Sequence, residues 1–173
     1  MTPDALRERL PGLVPGATLF DTDLARGEAV VLVAREQAAD ALRVLRTHGE
    51  LQFDQLIDVT AVDYPGRTPR FEVVYQLRSL PHSHRLRVKV GVPEEDPAVP
   101  TASTLWKSAL WAERETFDMF GIRFTGHPDL RRILMYPEFE GYPLRKDYPL
   151  MKRQPLIGER DPVADPWPAR RSM

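Results

Sequence analysis

The sequence contains no cysteine among its 173 residues. Disulfide bonds are therefore excluded, and the chain cannot supply the thiolate ligands that iron–sulfur clusters usually require. It also lacks an excess of charge of either sign, because its formal net charge is -1. A near-neutral chain has no global attraction to nucleic acid or to anionic lipid, so composition indicates neither class of partner.

Long hydrophobic runs are missing as well. The longest, residues 29–34, is far shorter than the roughly 18 apolar residues of a membrane-spanning helix, so no span is predicted. The N-terminal Met-Thr-Pro-Asp resembles neither a secretion signal nor an organelle presequence. We therefore expect the cytoplasm, or the equivalent reducing side of an energy-converting membrane. At 42% hydrophobic residues, the chain is long enough for one domain with a core.

The first third of the chain predicts helices next to strands. Residues 3–10 read as a short helix, and residues 18–23 and 28–33 as two strands around a turn. Apolar residues then recur at helical spacing over 38–45, with Gly49 placed as a C-terminal cap. This order is typical of a helix lying on a sheet.

Residues 51–90 alternate apolar and polar side chains with a period of two, which predicts strands with one buried face. Turn residues at 63–66 and 80–83 separate these strands. Adjacent strands joined by short turns are antiparallel. We therefore predict an α+β fold, a two-layer domain with helices packed on a mostly antiparallel sheet.

A further helix is predicted from Thr101 or Ser103 to about Phe120, ended by Gly121. Its apolar arc contains Glu113, whose carboxylate must be protonated or paired if it is buried. The favoured interpretation is a buried ion pair that fixes the following segment; a proton-relay or general-acid carboxylate is the alternative. The candidate partners are Arg131, Arg132 and Arg145.

The opposite arc of this helix is charged and includes Trp111, Arg114 and Asp118. Arg114 and Asp118 are four residues apart and can pair along the helix. An indole among charges is often an interface anchor, although the tail of the same chain could equally cover it. Both interpretations of Trp111 remain open at this point.

Beyond Tyr136 the chain changes character, since prolines occur at positions 137, 143, 149 and 155. Proline at this interval excludes regular helix and disfavours strand pairing. We predict a globular domain over residues 1–136 and an extended C-terminal arm over 137–173 that packs on partner proteins. The arm's basic and aromatic residues could suit nucleic acid, but interleaved acids such as Glu138 and Asp147 would repel phosphate and favour protein.

The histidines give only weak evidence of a metal or catalytic site. His82 and His84 could face the same way on a strand, but two ligands without a third rarely make a metal site, and a solvated turn is the simpler interpretation. His127 precedes a proline and is expected to cap or orient a turn. No nucleophile elbow or glycine-rich phosphate loop accompanies the acidic residues, so independent catalysis is disfavoured.

Three stretches together resemble a known family: ERETFDMFGI at residues 113–122, HPDLRRIL at 127–134 and PLRKDYPL at 143–150. Their order and spacing are similar to the signature of the 30 kDa subunit family of respiratory complex I, the C subunit of proton-pumping NADH:quinone oxidoreductase. The likeness extends upstream through VPEEDP at residues 92–97 and the helix near Trp106. It does not include residues 1–50 or 155–173.

The resemblance implies a soluble, membrane-peripheral subunit of the complex I arm with no cofactor of its own, while FMN and Fe-S clusters lie on partner subunits. Its implied partners are the quinone-proximal D subunit, the cluster-bearing B subunit and possibly the ferredoxin-like I subunit, in complex I or in a related hydrogenase or other-donor complex. No catalytic, cofactor or metal residue is assigned. The residues expected to position the arm are Trp111, Glu113, Arg114, Asp118, His127, Arg131, Arg132, Arg145, Asp147 and Tyr148.

Overall fold

A computed structural model describes residues 3–19, 29–151 and 153–154 of the chain. It confirms the α+β class. The elements in chain order are α1 Pro3–Leu13, β1 Ala17–Leu19, β2 Ala29–Val33, a 3-10 turn Arg35–Gln37, α2 Ala38–Thr47, β3 Gln55–Asp63, β4 Phe71–Ser79, β5 His84–Val92, β6 Ala98–Pro100, α3 Ala109–Phe120 and β7 Arg123–Thr125.

The main sheet has five strands in the order β1-β2-β5-β4-β3. The pairs β1–β2, β3–β4 and β4–β5 are antiparallel, as predicted from the short turns, whereas β2 and β5 run parallel. The sequence does not predict the parallel pair, because it joins strands that are distant along the chain. Nor does it predict the second, two-stranded parallel sheet, β6–β7, since three-residue strands are too short to show a period.

The alternation in β4 and β5 produces one core face, as predicted. Phe71, Val73, Tyr75 and Leu77 of β4 are fully or almost fully buried and share one hydrophobic cluster with side chains of all three helices. On the other face Glu72 is also buried, and its carboxylate pairs with the Lys89 ammonium at 2.8 Å. The helices and the sheet therefore form the two predicted layers around a single core.

Two helix ends differ from the prediction. The C-cap of α2 is His48 in an extended conformation, so Gly49 does not cap this helix. Helix α3 begins at Ala109 rather than near Thr101, although it ends at Gly121 as predicted. The Ser108 hydroxyl donates to the Leu56 carbonyl at 2.9 Å and makes no cap bond, and residues 101–108 form turns instead.

The edge strand β3 is covered by hydroxyl groups next to and within α3. The Tyr64 N–H donates to the Arg70 carbonyl at 2.9 Å, so along this hairpin the backbone groups of Val59 point away from β4. The Val59 carbonyl accepts the Thr116 hydroxyl at 2.9 Å, and the Leu56 carbonyl accepts Ser108. Helix α3 is thereby fixed to the sheet by hydrogen bonds as well as by apolar packing.

Part of the prediction lies outside the described residues, namely positions 20–23 and 28 of the first two predicted strands, the turn near Arg26 and residues 155–173. Within the described ranges, no helix has both the length and the apolar character needed to cross a bilayer.

Candidate functional site

The segment after α3 is held to the helix by one buried carboxylate. Asp118 is fully buried, and its Oδ2 accepts the backbone N–H groups of Ile133, Leu134 and Met135 at 3.0, 2.8 and 2.8 Å. Its Oδ1 accepts the Arg132 guanidinium at 2.9 Å. These four donors satisfy a charge that would be costly to bury unpaired. We call residues 131–135 together with Asp118 the Asp118 cradle.

Arg114 and Asp118, which could pair along the helix, therefore do not pair with each other. Arg114 donates from Nε to the Arg131 carbonyl at 3.0 Å and from a terminal nitrogen to the Arg132 carbonyl at 3.1 Å. The chain folds back over the helix, so the charged arc of α3 contacts residues 131–135. The spacing of charges along one helix cannot reveal such a return.

The predicted ion pair of Glu113 is wrong. Glu113 is fully buried, and its two oxygens accept the Thr101 hydroxyl at 2.5 Å and the Ala102 N–H at 2.6 Å. No arginine among the described residues lies within ion-pair distance of this carboxyl. Burial is the main cause that raises the pKa of Glu113 to about 7, and the two hydrogen bonds act in the opposite direction. Glu113 therefore holds the turn before α3, not the segment after it.

We predict that Glu113→Gln removes a pH dependence of stability. Since the folded-state pKa is about 7 and the ordinary pKa of the group is 4.5, the folded chain binds more protons than the unfolded chain between these limits. Glu113 should therefore contribute a fall of roughly 1 to 3 kcal/mol to the free energy of unfolding of the wild type as pH rises through this window. The glutamine variant should show a flatter profile in urea denaturation from about pH 4.5 to 8.

The matched control is Glu115→Gln, because Glu115 lies exposed on the same helix. It should keep the wild-type slope. If Glu113→Gln retained that slope as well, the titrating group would be another residue.

A second polar cluster lies around Arg70, and the sequence does not predict it. The Arg70 guanidinium contacts both oxygens of the buried Asp63 at 2.8 and 2.9 Å, and it also pairs with Glu94 and Asp147. Asp63 accepts the Lys146 N–H at 2.7 Å. The hydrogen bond from Arg70 is the largest cause that lowers the pKa of Asp63. The cluster joins the β3–β4 hairpin to residues 146–147, so two of its members come from the segment predicted to be an arm.

Arg145 is the second contact between that segment and the domain. Its Nε donates to the Phe120 carbonyl at 2.6 Å, and its guanidinium lies 4.9 Å from the ring centroid of Phe71 and 4.7 Å from that of Tyr142. The Leu144 N–H also donates to the Met119 carbonyl at 3.1 Å. Residues 142–147 thus contact the end of α3 and the hairpin. The division at residue 136 and the packing of the arm on partner proteins stay predictions.

Gly121 makes this approach possible. It has a φ of 75°, and a β-carbon at this position would lie 2.5 Å from the Tyr142 ring. We predict that Gly121→Ala destabilises the chain by about 2 kcal/mol, because it adds left-handed strain and displaces Tyr142. Thermal unfolding measures the effect. Gly49→Ala is the control, since no atom lies within 4 Å of its added carbon; equal losses in both variants would contradict the close approach.

The histidines have structural contacts. His127 orients a turn as predicted, because its Nδ1 accepts the Asp129 N–H at 3.0 Å and its Nε2 lies 3.1 Å from the Leu110 carbonyl. The prediction of a solvated turn is wrong for His84, which is buried at the start of β5 with Nε2 3.0 Å from the Leu51 carbonyl. Burial lowers the pKa of His84. Among the described residues, no group of three or more His, Asp or Glu side chains is arranged to hold a metal ion.

The remaining predicted site residues lie at or near the surface. Arg131 pairs with Asp129 at 2.7 Å, and the Tyr148 hydroxyl accepts the Gln154 amide at 2.5 Å. Trp111 is 63% exposed, so within the described residues the tail does not cover it. Leu150 and Met151 are 99% and 91% exposed. The face formed by α3 and the following segment therefore combines an internally satisfied charge network with several exposed apolar side chains.

Comparisons with known proteins show the family and the fold of this chain. A family model described as "Respiratory-chain NADH dehydrogenase, 30 Kd subunit" matches residues 31–154. The C subunit of NADH-quinone oxidoreductase from Geobacter sulfurreducens is 50% identical over 131 residues, which are 75% of this chain and 80% of the relative. The corresponding protein of Roseiflexus sp. (strain RS-1) is 52% identical over 139 residues, 80% of this chain and 79% of the relative.

Two solved structures are similar. A trypsin-resistant fragment (1–134) of Nqo5 has a TM-score of 0.63 and 37% identity, covering 75% of this chain and all of the fragment. A chain of the membrane-bound sulfane sulfur reductase, an archaeal respiratory membrane complex, has a TM-score of 0.72 and 25% identity, covering 86% of each chain. Both structures share the α+β fold described above.

Proposed function

The chain belongs to the family of the 30 kDa subunit of the respiratory-chain NADH dehydrogenase, and from this premise we propose that it is a structural subunit of the peripheral arm of NADH:quinone oxidoreductase. In this role it carries no redox group. It supports the passage of electrons from NADH through FMN and Fe-S clusters on partner subunits to quinone. The isolated chain has no activity of its own.

The observation that carries the proposal is that charged residues in the stretches 113–122 and 143–150 make their contacts within the chain itself. Asp118 accepts three backbone N–H groups and a guanidinium, Arg145 donates to the Phe120 carbonyl, and Asp147 pairs with Arg70. Groups that act on a substrate must be accessible to it. These groups instead fix the chain to itself, which supports a scaffold role over chemistry.

The proposal also assigns positions to the exposed residues. Large apolar side chains are exposed on α3, at Trp111, and on the segment after it, at Leu134, Leu144 and Leu150. Exposed apolar side chains on a face with satisfied charges are typical of protein interfaces. We place the D and B subunits, and possibly the I subunit, against this face, with the chain on the cytoplasmic side of the plasma membrane.

Affinity purification of the tagged full-length chain from its native membrane in mild detergent tests the proposal. We expect the other subunits to co-purify, together with NADH-dependent quinone reduction by the eluate. Recovery of the chain alone at its monomer mass would overturn the assignment.

A complex with a different electron donor is the second candidate. The structural similarity to a chain of the sulfane sulfur reductase complex supports it, because a similar chain, with a TM-score of 0.72, belongs to a respiratory membrane complex that is named for a different reaction. The same purification distinguishes the two. An intact assembly that reduces quinone with NADH favours the first candidate, and one that does not accept electrons from NADH favours the second.

A further inference from the structure

A groove of about 470 Å³ lies between α3 and the loop of residues 127–133. Leu110 and Trp111 line one side, and Pro128 and Ile133 line the other. Trp111 is the most exposed aromatic side chain of helix α3. We call this feature the Trp111 groove. It lies on the side of α3 that faces away from strand β3.

Arg114 gives the groove a fixed positive charge. Its guanidinium carbon lies 5.3 Å from the centre of the Trp111 ring, and two of its nitrogens donate to the carbonyls of Arg131 and Arg132. Both acceptors are neutral. Within residues 3–19, 29–151 and 153–154, no carboxylate is within ion-pair distance of Arg114. The indole and the guanidinium are therefore held together in one orientation, with the charge not neutralised by direct contact.

The other charges that line the groove leave it positive. Asp129 is paired with Arg131 at 2.7 Å, and Arg132 is paired with the buried Asp118 at 2.9 Å. Three guanidinium groups and one carboxylate, Asp129, therefore line the groove, while the buried Asp118 lies outside the lining. Asp129 also interacts electrostatically with Arg114, but the lining keeps an excess of positive charge. The loop is also fixed, because His127 contacts the Leu110 carbonyl. A preformed site loses little conformational entropy when it binds.

We propose that the Trp111 groove binds a segment of a neighbouring subunit that carries a carboxylate next to an apolar side chain. This inference rests on the proposed function. The apolar side chain would lie against Trp111 and Ile133, and the carboxylate would accept a charge-assisted hydrogen bond from Arg114. Tryptophan and arginine are enriched among the residues that dominate the energetics of protein interfaces.

A protein partner fits better than the alternatives. A nucleic-acid backbone binds through several cations at once, whereas two of the three arginines of this groove, Arg131 and Arg132, already pair with Asp129 and Asp118. The groove also lies inside the part of the chain that the family model matches, residues 31–154, whereas residues 155–173 lie beyond it. An occupant supplied by the assembly is therefore favoured over the end of this chain.

Photo-crosslinking in the intact assembly tests the inference. Trp111 is replaced by p-benzoylphenylalanine in the full-length chain, the purified complex is irradiated, and the linked peptide is identified by mass spectrometry. We expect a segment of another subunit with Asp or Glu within two residues of an apolar side chain. Links to residues 155–173 of the same chain, to lipid, or to a segment without an acid would overturn the proposal, as would the absence of a link.

The same photoreactive residue at position 80 is the control, since Leu80 is exposed at the β4–β5 turn, away from the groove. It should not link to the segment that position 111 reaches. The wild-type chain is purified in parallel. Loss of its partners would refute the proposed function and the inference with it, whereas an intact wild-type complex with no link at position 111 would refute the inference alone.

Competition between wild-type and variant chains for incorporation into the complex gives an independent measure of the contribution of the groove. Tagged wild-type and variant chains are co-expressed, and their ratio in the purified complex is compared with their ratio in the lysate. Trp111→Ala and Arg114→Gln should each lower the ratio at least about tenfold, as expected for residues at the centre of an interface. Glu115→Gln should leave it unchanged. Since Arg114 also holds the loop, an unchanged ratio for Trp111→Ala would by itself contradict the proposal.

Discussion

Replacing Asp118 by alanine is expected to lower the free energy of unfolding by roughly 3 to 5 kcal/mol, because it removes a fully buried carboxylate and leaves four partly buried donors without their acceptor. The backbone N–H groups of residues 133–135 and the Arg132 guanidinium all donate to this one carboxylate. The loss of the Asp118 cradle should also release the segment after α3. Urea denaturation measures the first effect, and hydrogen exchange of residues 131–135 measures the second.

Asp118→Asn provides the sharper test of this prediction. Asparagine keeps the shape of the side chain, but its amide N–H groups would face the N–H donors that the carboxylate accepts. Most of the fall in the free energy of unfolding should therefore remain. Glu115→Ala is the control on the same helix, because Glu115 is exposed and should change stability by less than about 0.5 kcal/mol. Unchanged exchange protection of residues 133–135 in both Asp118 variants would contradict the assigned role of the carboxylate.

Arg70→Met is expected to cost about 3 kcal/mol near neutral pH, since it leaves the Asp63 carboxylate buried without its counter-ion. Glu94 and Asp147 contribute little to this figure, because their side chains are more than half exposed to solvent. Methionine retains much of the apolar volume of arginine. Chemical denaturation of the variant and the wild type gives the difference.

The pH dependence of this difference has a definite sign. Arg70 lowers the pKa of Asp63 in the folded chain, so its stabilising effect is present above the unfolded pKa and is lost as pH falls through the folded value. The difference in the free energy of unfolding between wild type and Arg70→Met should therefore be largest at neutral pH and should decrease below about pH 4. Arg78→Met on the exposed face of β4 is the control, and a gap that widened in acid would refute the pairing.

The regular part of the fold can be predicted from the sequence because its signals are local. The alternation through β4 and β5 and the helical spacing of α2 each reflect one buried face, and Gly121 adopts the left-handed conformation that glycine favours at a helix end. The parallel pairing of β2 with β5 has no such signal. It arises only when the hairpins place β5 at the edge that β2 can reach.

The polar contacts of the site are harder to predict. The burial of Glu113 follows from its place in the apolar arc, but its partners do not, since Thr101 and the Ala102 N–H belong to a predicted helix that does not form there. Asp118 lies on the charged arc of the helix, and its burial could not be predicted, because helical periodicity describes one helix and not the chain that returns over it. Arg70 lies in no motif at all, although its position opposite Asp63 across a predicted turn is a usable signal.

The covered edge of the sheet limits how this chain can join an assembly. A strand from another protein cannot easily be added beside β3, because it would compete with Ser108 and Thr116 for the carbonyls of Leu56 and Val59. Recognition along that border by β-augmentation is therefore disfavoured. Docking through side chains on the surface of the folded chain remains. This mode lets the chain fold before it meets its partners, and it protects the β3 edge against strand-by-strand self-association.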